Sequence, residues 1–481
     1  MMELPKRIHV IGICGVATSA LAVALHKVGV KVTGSDKGFY PPVSTYLAET
    51  GVEYYAGWHP DKMVAGGVPE AIIVGTASGS RNPETVYAKE HGIPIYSFAG
   101  AIGEFFTRKN NIVCAGTWGK TSSAALLSFI IDQAGYDPSY MFGGISLSHQ
   151  SAKLAGGDWG VFEGDEYKSS PTDPTAKFFY YKPTHLLLTA VSWDHADLYP
   201  TEESYFKAFG RLIVSMPKTG FIVANTNAPG VSKVLGDYRG KAISYGKSGV
   251  EYSYENVRQS ENGIYFTIKH GHDSFDIHSP MIGAFQAENI TGCFAMAHSI
   301  GINPETIIKA VARFKGLKRR LEKRMIGDPS NDSSDGKGVT VFDDIAHSPE
   351  KAASVLRNLR EIYSGKIIAV FEPNIGGRSR KSTLKYDRAF KDADIVVIPR
   401  LTKLKTVEDG SEKSNTSLEG AELAEIIGKT HHSVHYFEDD EEVVSFLKSQ
   451  TVDGDIIVFL GSHGFRGMIE ETISPRQLYR P

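Results

Sequence analysis

The sequence contains few of the residues that would place it in a specialised class of protein. Its 481 residues include three cysteines, Cys14, Cys114 and Cys293, which are too scattered for a disulfide framework or a cysteine metal site. No run of eighteen unbroken apolar residues is present, so we expect no membrane span. The net charge of −3 offers no basic excess for neutralising nucleic-acid phosphates. These absences predict a globular protein of a reducing cytoplasm that does not bind nucleic acid.

A glycine-lysine loop is the most specific motif that the sequence does contain. Residues 114–121 read Cys-Ala-Gly-Thr-Trp-Gly-Lys-Thr and lie between an apolar strand pattern and a helical pattern. A helix N-terminus after a glycine turn offers backbone N–H groups and a positive dipole end to a phosphate. Lys120 adds a point charge for the phosphates, and the Thr121 hydroxyl is suited to Mg²⁺. Glycine is expected where Cys114 stands, so this is a variant phosphate loop.

The N-terminal block is a βαβ pattern rather than a signal peptide. It is predicted to comprise strand Arg7–Gly12, helix Val16–Lys27 and strand Lys31–Ser35. Gly12, Gly15 and Thr18 lie at the turn before the helix, and Asp36 follows the second strand. The third glycine of a dinucleotide fingerprint is absent, so a generic nucleotide or a nucleotide-sugar diphosphate fits the turn equally well.

Alternating strands and helices continue through two further blocks. The predicted strands are Asn111–Ala115, Trp159–Glu163, His185–Ala190, Gly220–Ala224, Val339–Asp343, Lys366–Phe371, Ile395–Ile398 and Ile456–Leu460, and the predicted helices include Thr121–Gln133 and Ala287–Ile300. This alternation predicts α/β domains with mostly parallel sheets and ligands at the carboxyl ends of the strands. We predict three domains: a Rossmann-like domain (1–108), a P-loop-type ATPase domain (109–316) and a second Rossmann-like domain (317–481). The polar stretch Gly327–Gly338 is predicted to be a loop.

Acidic and histidine residues follow several predicted strands. Glu163 and Glu166 belong to an acidic group that provides either a magnesium ligand or a solvated turn. His195, between Asp194 and Asp197, could be a metal ligand, a general base or a surface histidine. The pair Asp344 and His347 leaves the same alternatives open. A basic run that includes Arg319 and Arg320 is either a solvated face or a clamp for phosphate or carboxylate.

The order of these motifs resembles the Mur ligase family of ATP-dependent peptidoglycan ligases over the whole chain. The resemblance rests on Gly116–Thr121, Glu163–Glu166, Asp194–Asp197, Gly283…Asn289, Phe314…Glu322 and Asp344–Pro349. It implies a soluble enzyme, a monomer or weak homodimer, that uses ATP and Mg²⁺ to join UDP-N-acetylmuramate to an amino acid or a tripeptide through an acyl phosphate.

The resemblance also implies a role for each candidate residue. Lys120, His195 and Glu163 would be catalytic. ATP would contact Gly116, Thr117, Gly119, Lys120, Thr121, Ser122, Asn289, Arg320, Asp344 and His347. The candidate magnesium ligands are Thr121, Glu163, Glu166 and His195. The UDP-sugar would lie on Gly12, Gly15, Thr18 and Asp36.

Two branches of the family differ in the amine that they add. Stretches such as Tyr40–Thr45, Phe371–Pro373 and Gly464–Gly467 resemble the recycling branch, which adds L-alanyl-γ-D-glutamyl-meso-diaminopimelate. We therefore expect the tripeptide as acceptor, with Arg378 and Arg380 meeting its carboxylates, and L-alanine as the alternative. Arg378-Ser379-Arg380 itself resembles the L-alanine branch, although Asn374 and Ile375 break the motif before it.

Four residues depart from the family pattern, and other functions stay open. These residues are Trp118, Lys168, Ser192 and Gln286. A catalytically silent homologue that binds the nucleotide sugar is an alternative consistent with Trp118 and Ser192. A P-loop kinase or motor is a further alternative, against which the separate glycine turn of the first block counts.

Overall fold

The structure is a computed structural model of the 481-residue chain. It describes residues 4–39, 43–75, 79, 81–195, 197–236, 238–325, 338–374, 377–402 and 418–474. The chain divides into two compact units: the first runs to Arg258 and also contains Ile264–Met281 and Phe285–Leu317, and the second contains Gln259–Gly263, Ile282–Ala284 and the chain from Lys318 onward.

The first block of the first unit is a Rossmann-like α/β sheet. Its elements are β1 (Arg7–Ile11), α1 (Val16–Lys27), β2 (Lys31–Asp36), α2 (Val43–Thr50), β3 (Glu53–Ala56), α3 (Pro60–Ala65), β4 (Ala71–Val74), α4 (Pro83–Glu90), β5 (Ile95–Ser97) and α5 (Phe98–Ala101). Among the described residues the five strands pair in parallel in the order β3-β2-β1-β4-β5. The order reverses at β1, and ligands of such sheets bind beyond the carboxyl ends of the strands at this point. The glycine turn after Ile11 lies there.

The second block contains a larger mixed sheet and belongs to the same unit, except for residues Gln259–Gly263 and Ile282–Ala284. Its elements are β6 (Asn110–Ala115), α6 (Lys120–Gln133), β7 (Ser139–Met141), β8 (Ala152–Lys153), β9 (Trp159–Gly164), β10 (Lys168–Ser170), β11 (Asp173–Ala176), β12 (His185–Leu188), α7 (Glu202–Val214), β13 (Phe221–Asn225), α8 (Val231–Leu235), β14 (Lys241–Gly246), β15 (Tyr252–Ser260), β16 (Gly263–His270), β17 (Asp273–Ser279), α9 (Gln286–Ser299) and α10 (Pro304–Arg313). In the described part of the chain, ten of these strands form one sheet in the order β17-β16-β15-β14-β13-β12-β6-β9-β7-β8, and β10 pairs antiparallel with β11 in a separate two-stranded sheet.

The centre of this sheet is parallel, and its strands are buried on both faces. β6 pairs in parallel with β9 and β12, and β12 pairs in parallel with β13. The strands β6, β12 and β13 are almost continuous apolar runs, as expected for strands covered by helices on both sides. Antiparallel pairing occurs between β16 and β17 and between β7 and β8. The carboxyl ends of β6, β9 and β12 therefore meet at one edge.

The second unit contains the third sheet. Its elements are β18 (Glu322–Met325), β19 (Thr340–Asp344), α11 (Pro349–Ile362), β20 (Ile367–Glu372), β21 (Ile395–Pro399), α12 (Gly420–Gly428), β22 (Val434–Phe437), α13 (Asp440–Gln450), β23 (Ile456–Gly461) and α14 (Met468–Ile473). Within the described ranges six strands follow the order β18-β19-β23-β20-β21-β22, and β18 alone among them pairs antiparallel.

The predicted α/β class with three mostly parallel sheets is confirmed. The predicted boundaries at residues 109 and 317 stay predictions, and most of the predicted loop Gly327–Gly338 lies outside the described residues. Strands β14–β17 are an addition that the sequence interpretation did not contain. Cys114 and Cys293 are fully buried, and Cys14 is partly buried. None of the helices in the described part of the chain is long and apolar enough to cross a membrane.

Candidate active site

The glycine-lysine loop connects β6 to α6 through backbone that requires glycine. Gly116 has a φ of +143° and Gly119 has a φ of +81°, both unfavourable for residues with a side chain. A Cβ atom on Gly116 would lie 2.1 Å from Oγ1 of Thr189, and one on Gly119 would lie 2.7 Å from Oδ1 of Asn289. The loop is therefore packed closely against the end of β12 and the start of α9.

Hydrogen bonds fix the loop to the segment that follows β12. The amide of Thr117 donates to the carbonyl of Ala190 over 2.8 Å. The hydroxyl of Thr117 donates to the carbonyl of Ser192 and accepts from its amide, each over 2.9 Å. Ser192 thus supports the loop through its backbone. The hydroxyl of Thr189 donates to the carbonyl of Trp118 over 2.5 Å, while the indole of Trp118 is half exposed.

Lys120 is held by a buried carboxylate. Its Nζ atom lies 2.8 Å from Oε2 of Glu166 and 3.1 Å from Oε1. Burial lowers the pKa of Lys120, but the Glu166 carboxylate outweighs this effect and raises the pKa above its ordinary value. The hydroxyls of two tyrosines complete the surroundings of Glu166: Tyr205 lies 3.3 Å from Oε1, and Tyr199 donates to the backbone carbonyl over 2.6 Å. Sequence reasoning missed both tyrosines, because no short motif marks them.

Thr121 and Glu163 place a hydroxyl and a carboxylate oxygen next to each other beside Lys120. The hydroxyl of Thr121 donates to Oε1 of Glu163 over 2.6 Å, and the amide of Gly143 donates to Oε2 over 2.6 Å. Hydroxyl and carboxylate oxygens at a phosphate loop are the donors that Mg²⁺ takes together with substrate phosphates. Among the described residues no three His, Cys, Asp or Glu side chains converge as a metal cage. The donor set therefore fits a magnesium ion shared with a nucleotide.

His195 lies next to the same buried glutamate. Its Nε2 atom lies 3.5 Å from Oε1 of Glu166, and its backbone has a φ of +54°. The interaction with Glu166 raises the pKa of His195 above its ordinary value, against the lowering effect of partial burial. Tyr167 lies against the ring at a centroid distance of 5.0 Å and donates its hydroxyl to Asp197 over 2.6 Å. His195 and Lys120 therefore both contact the carboxylate of Glu166. Ala196 lies outside the described residues.

Two further predicted nucleotide contacts lie in the first turns of α9 and α6. Asn289 is in the first turn of α9, with its Oδ1 atom against Gly119. Ser122 is partly exposed in the first turn of α6. The structure therefore brings the predicted ATP contacts of the first unit together around the start of α6.

Asp36 stabilises the glycine turn that follows β1 in the first sheet. The amides of Gly12 and Ile13 donate to the carbonyl of Ser35 over 2.8 and 3.1 Å. The amide of Cys14 donates to Oδ2 of Asp36 over 2.8 Å, so this carboxylate shapes the turn itself. The hydroxyl of Thr18 donates to the carbonyl of Gly12 over 2.7 Å. Gly15 stands immediately before α1, where a phosphate would meet the helix N-terminus.

A buried polar network supports this turn and was not predicted. Glu84 is fully buried, accepting from the Ser35 hydroxyl over 2.5 Å, the Tyr55 hydroxyl over 2.6 Å and the His59 amide over 2.8 Å. His9 lies 3.4 Å from the same carboxylate. Burial raises the pKa of Glu84, but these hydrogen bonds lower it below its ordinary value overall.

In the second unit, the predicted nucleotide residues surround the turn before β18. Asp344 accepts from the amide of Leu321 over 2.7 Å and from that of Ala346 over 2.8 Å. Burial raises the pKa of Asp344, although these amides and Arg320 act in the opposite direction. Arg320 is exposed, and Nδ1 of His347 lies 2.7 Å from the carbonyl of Ile345. Asp344 therefore holds the turn, while Arg320 presents its charge to solvent.

The two predicted acceptor-binding arginines differ in environment. Arg378 is buried and donates to the carbonyls of Pro373 and Thr402 and, over 3.3 Å, to the buried carboxylate of Glu372. The position of Arg378 does not support a contact with the acceptor, because its guanidinium is buried and hydrogen-bonded to other protein groups. Arg380 is 57% exposed and lies 2.8 Å from Glu422. Ile375, which departs from the L-alanine motif before Arg378, lies outside the described residues.

Comparisons with known proteins agree with this geometry over the length of the chain. Residues 7–110 match the Mur ligase family catalytic domain, residues 114–297 the Mur ligase middle domain, and residues 331–463 the Mur ligase glutamate ligase domain. The UDP-N-acetylmuramate--L-alanine ligase of a Bradyrhizobium species is 30% identical, and the alignment covers 96% of each chain.

Solved structures show the same fold. The UDP-N-acetylmuramate-alanine ligase MurC of Thermotoga maritima has a TM-score of 0.76 at 21% identity and covers 98% of both chains. A murein peptide ligase of Psychrobacter arcticus has a TM-score of 0.66 at 23% identity and covers 97% of this chain. With three domain matches and a full-length relative, the chain belongs to the Mur ligase family and is an ATP-dependent amide ligase.

Proposed function

We propose that the protein joins L-alanine to the lactyl carboxylate of UDP-N-acetylmuramate. The observation that carries this proposal is the 30% identity, over 96% of both chains, to a relative named for that reaction. The tripeptide that the sequence motifs favoured becomes the second choice, because the full-length sequence relatives support the L-alanine branch. Because Arg378 is buried, Arg380 remains as the candidate arginine for a carboxylate of either acceptor.

The residues around the start of α6 fit the nucleotide and the ion that the family requires. When bound, ATP and Mg²⁺ would supply the phosphoryl group and the positive charge that convert the lactyl carboxylate into an acyl phosphate. Gly116 and Gly119 allow the loop backbone to pack against Thr189 and Asn289. Lys120 would provide a positive charge for phosphates at the N-terminus of α6. Thr121 and Glu163 would hold the ion, with His195 and Glu166 as further candidates.

The protein's own contribution is alignment and charge neutralisation. Lys120 would offset the negative charge that builds up when a carboxylate approaches a phosphate. Asn289 would orient the nucleotide at Gly119. The glycine turn at Gly12–Gly15, which belongs to the same compact unit, would hold the UDP at the N-terminus of α1. Holding both substrates in one unit converts the phosphoryl transfer into an effectively unimolecular step.

In the second unit, Arg320, Asp344 and His347 are proposed nucleotide contacts, and Arg380 is the proposed acceptor contact. Arg380 is exposed, so its guanidinium can exchange Glu422 for the carboxylate of an amino acid. The amine would then displace phosphate from the activated carboxylate and form the amide.

A phosphate-release assay tests the proposal. The full-length protein is incubated with ATP, Mg²⁺ and UDP-N-acetylmuramate, and either L-alanine or the tripeptide L-alanyl-γ-D-glutamyl-meso-diaminopimelate is added. We expect a higher kcat/KM for L-alanine. A higher kcat/KM for the tripeptide would establish the recycling branch instead, and no acceptor-dependent phosphate release with either amine would overturn both assignments.

A further inference from the structure

The loop that follows β7 contains a partly buried histidine with both ring nitrogens engaged. Nε2 of His149 lies 3.0 Å from the hydroxyl of Ser128 on α6, and Nδ1 lies 3.0 Å from the hydroxyl of Ser146. Ser128 donates its own proton to the carbonyl of Ala125 over 2.9 Å, so its oxygen accepts from Nε2–H. Nδ1 is then the acceptor for Ser146. This arrangement defines one neutral tautomer.

Aromatic rings enclose this imidazole and keep it uncharged. Ring centroids lie 5.2–6.2 Å from that of His149 for four neighbours: Phe129, Tyr140, Phe142 and Phe314. Burial lowers the pKa of His149 to about 4. Near neutral pH the ring therefore acts as a fixed hydrogen-bonding spacer between α6 and the loop.

One end of the loop contacts the oxygen pair proposed to bind the metal. The amide of Gly143 donates to Oε2 of Glu163 over 2.6 Å, while Oε1 of the same carboxylate accepts from Thr121. A Cβ atom on Gly144 would lie 3.1 Å from Cγ2 of Thr121. The orientation of the Glu163 carboxylate therefore depends on where this loop lies.

The other end of the loop contacts the last residues of the first compact unit. The amide of Leu147 donates to the carbonyl of Gly316 over 3.0 Å, and the amide of Lys315 donates to the hydroxyl of Ser148 over 2.8 Å. Ser146 forms an isolated antiparallel bridge with Leu317. The same short loop thus touches the metal ligands and the segment at which the first unit ends.

We propose that His149 is a positioning residue that fixes the loop Gly143–His149, so that Gly143 orients Glu163 and the loop anchors Lys315–Leu317. This inference deepens the proposed function, because it concerns the ion-binding side of the same site. Loss of the two imidazole hydrogen bonds frees the loop, after which Glu163 loses its second donor. Partners that orient a metal ligand typically change metal affinity by roughly 10–100-fold when they are removed.

The test compares His149→Phe, which fills the aromatic enclosure without hydrogen bonds, with His149→Gln, which retains a donor and an acceptor. The full-length proteins are titrated with Mn²⁺·ADP by electron paramagnetic resonance and with UDP by calorimetry. We expect the Kd for Mn²⁺·ADP to rise about tenfold in His149→Phe, less in His149→Gln, with the Kd for UDP unchanged. Amide hydrogen exchange should increase in both 143–149 and 315–317.

His185→Phe is the matched control. His185 also lies between aromatic rings, those of Trp159 and Phe221, and burial also lowers its pKa to about 4. It is the first residue of β12, whereas the phosphate loop packs against the carboxyl end of that strand. We expect this variant to bind Mn²⁺·ADP as the wild type does. Ser128→Ala, which removes one partner only, should give a smaller change of the same sign as His149→Phe.

Two outcomes would overturn the inference: unchanged Mn²⁺·ADP affinity in His149→Phe, or faster exchange in 143–149 without faster exchange in 315–317. A wild-type protein that binds no Mn²⁺·ADP would contradict the proposed function. In that case the exchange measurement, made without ligand, still decides whether His149 anchors the loop to Lys315–Leu317.

Discussion

Lys120 Nζ lies 2.8 Å from Oε2 of Glu166, with the lysine side chain 13% exposed and the glutamate side chain fully buried. The lysine of the phosphate loop is thus already paired with an anion inside the protein. A nucleotide phosphate must share or replace this carboxylate to reach the lysine. Glu166 therefore holds Lys120 in place and at the same time competes with the substrate for its charge.

Replacing Lys120 with alanine should remove nearly all ligation activity. The loss of a charge directed at the transferring phosphoryl group costs on the order of 3 kcal/mol in the barrier, or roughly a hundredfold in kcat/KM. Phosphate release measures the loss, and calorimetry with UDP-N-acetylmuramate should show unchanged binding. Lys153→Ala is the control, because Lys153 pairs with Asp132 and Asp137 outside the site. Near-normal turnover in Lys120→Ala would refute the phosphate-loop assignment.

Replacing His195 with alanine should raise the Mg²⁺ concentration needed for half-maximal rate. His195 lies 3.5 Å from Glu166 and is 35% exposed at the site, so it can reach an ion beside the phosphates. The measurement is the initial rate as a function of Mg²⁺ at saturating ATP. An unchanged Mg²⁺ dependence together with an unchanged rate would make His195 a surface residue.

Arg378→Ala should destabilise the protein far more than Arg380→Ala. Removing Arg378 leaves the buried carboxylate of Glu372 with one charged partner fewer, which typically costs about 3 kcal/mol. The pair between Arg380 and Glu422 is exposed, so its loss costs less than about 1 kcal/mol. Urea unfolding of the full chain measures both values. Equal effects of the two substitutions would contradict the assignment of Arg378 to the interior.

The stability of the wild-type protein should fall as the pH decreases from 6.5 towards 4, in part because of His149. The pKa of His149 is about 4 in the folded protein and 6.5 ordinarily, so the unfolded chain binds the additional proton within this window. The stabilisation is complete above pH 6.5 and is lost on acidification. In His149→Phe the slope of unfolding free energy against pH should be flatter by about 1 kcal/mol per pH unit. Parallel slopes in urea titrations of the two proteins would show that the histidine titrates normally.

Much of the fold could be predicted because the central strands are apolar runs bounded by glycine or charge. The predicted helix Val16–Lys27 has the observed bounds, and the predicted strand Asn111–Ala115 differs from the observed one by a single residue. The strands β14–β17 were missed. One face of this part of the sheet is exposed, so its strands contain many polar residues, as in Tyr252–Ser260. Such a polar sequence resembles that of a loop.

The partners of the site residues could not be predicted, because they depend on tertiary packing. Glu166 was a candidate metal ligand in the sequence, yet it pairs with Lys120 across the loop. Asp36, which is predicted to contact the UDP-sugar, also accepts from the amide of Cys14 and so stabilises the glycine turn. His149 carried no motif at all. Its role becomes visible only when Ser128 and Phe314, from distant parts of the chain, are brought to its ring.

Of the three cysteines, Cys14 alone is partly exposed, which provides a single site for chemical labelling. Burial raises the pKa of the Cys114 and Cys293 thiols, so their thiolates are scarce and reagents cannot reach them. Cys14 retains exposed surface in the turn proposed for the UDP-sugar. A maleimide fluorophore added to the native protein should therefore attach at Cys14, and protection of that thiol by UDP would report occupancy of the turn without any substitution in the chain.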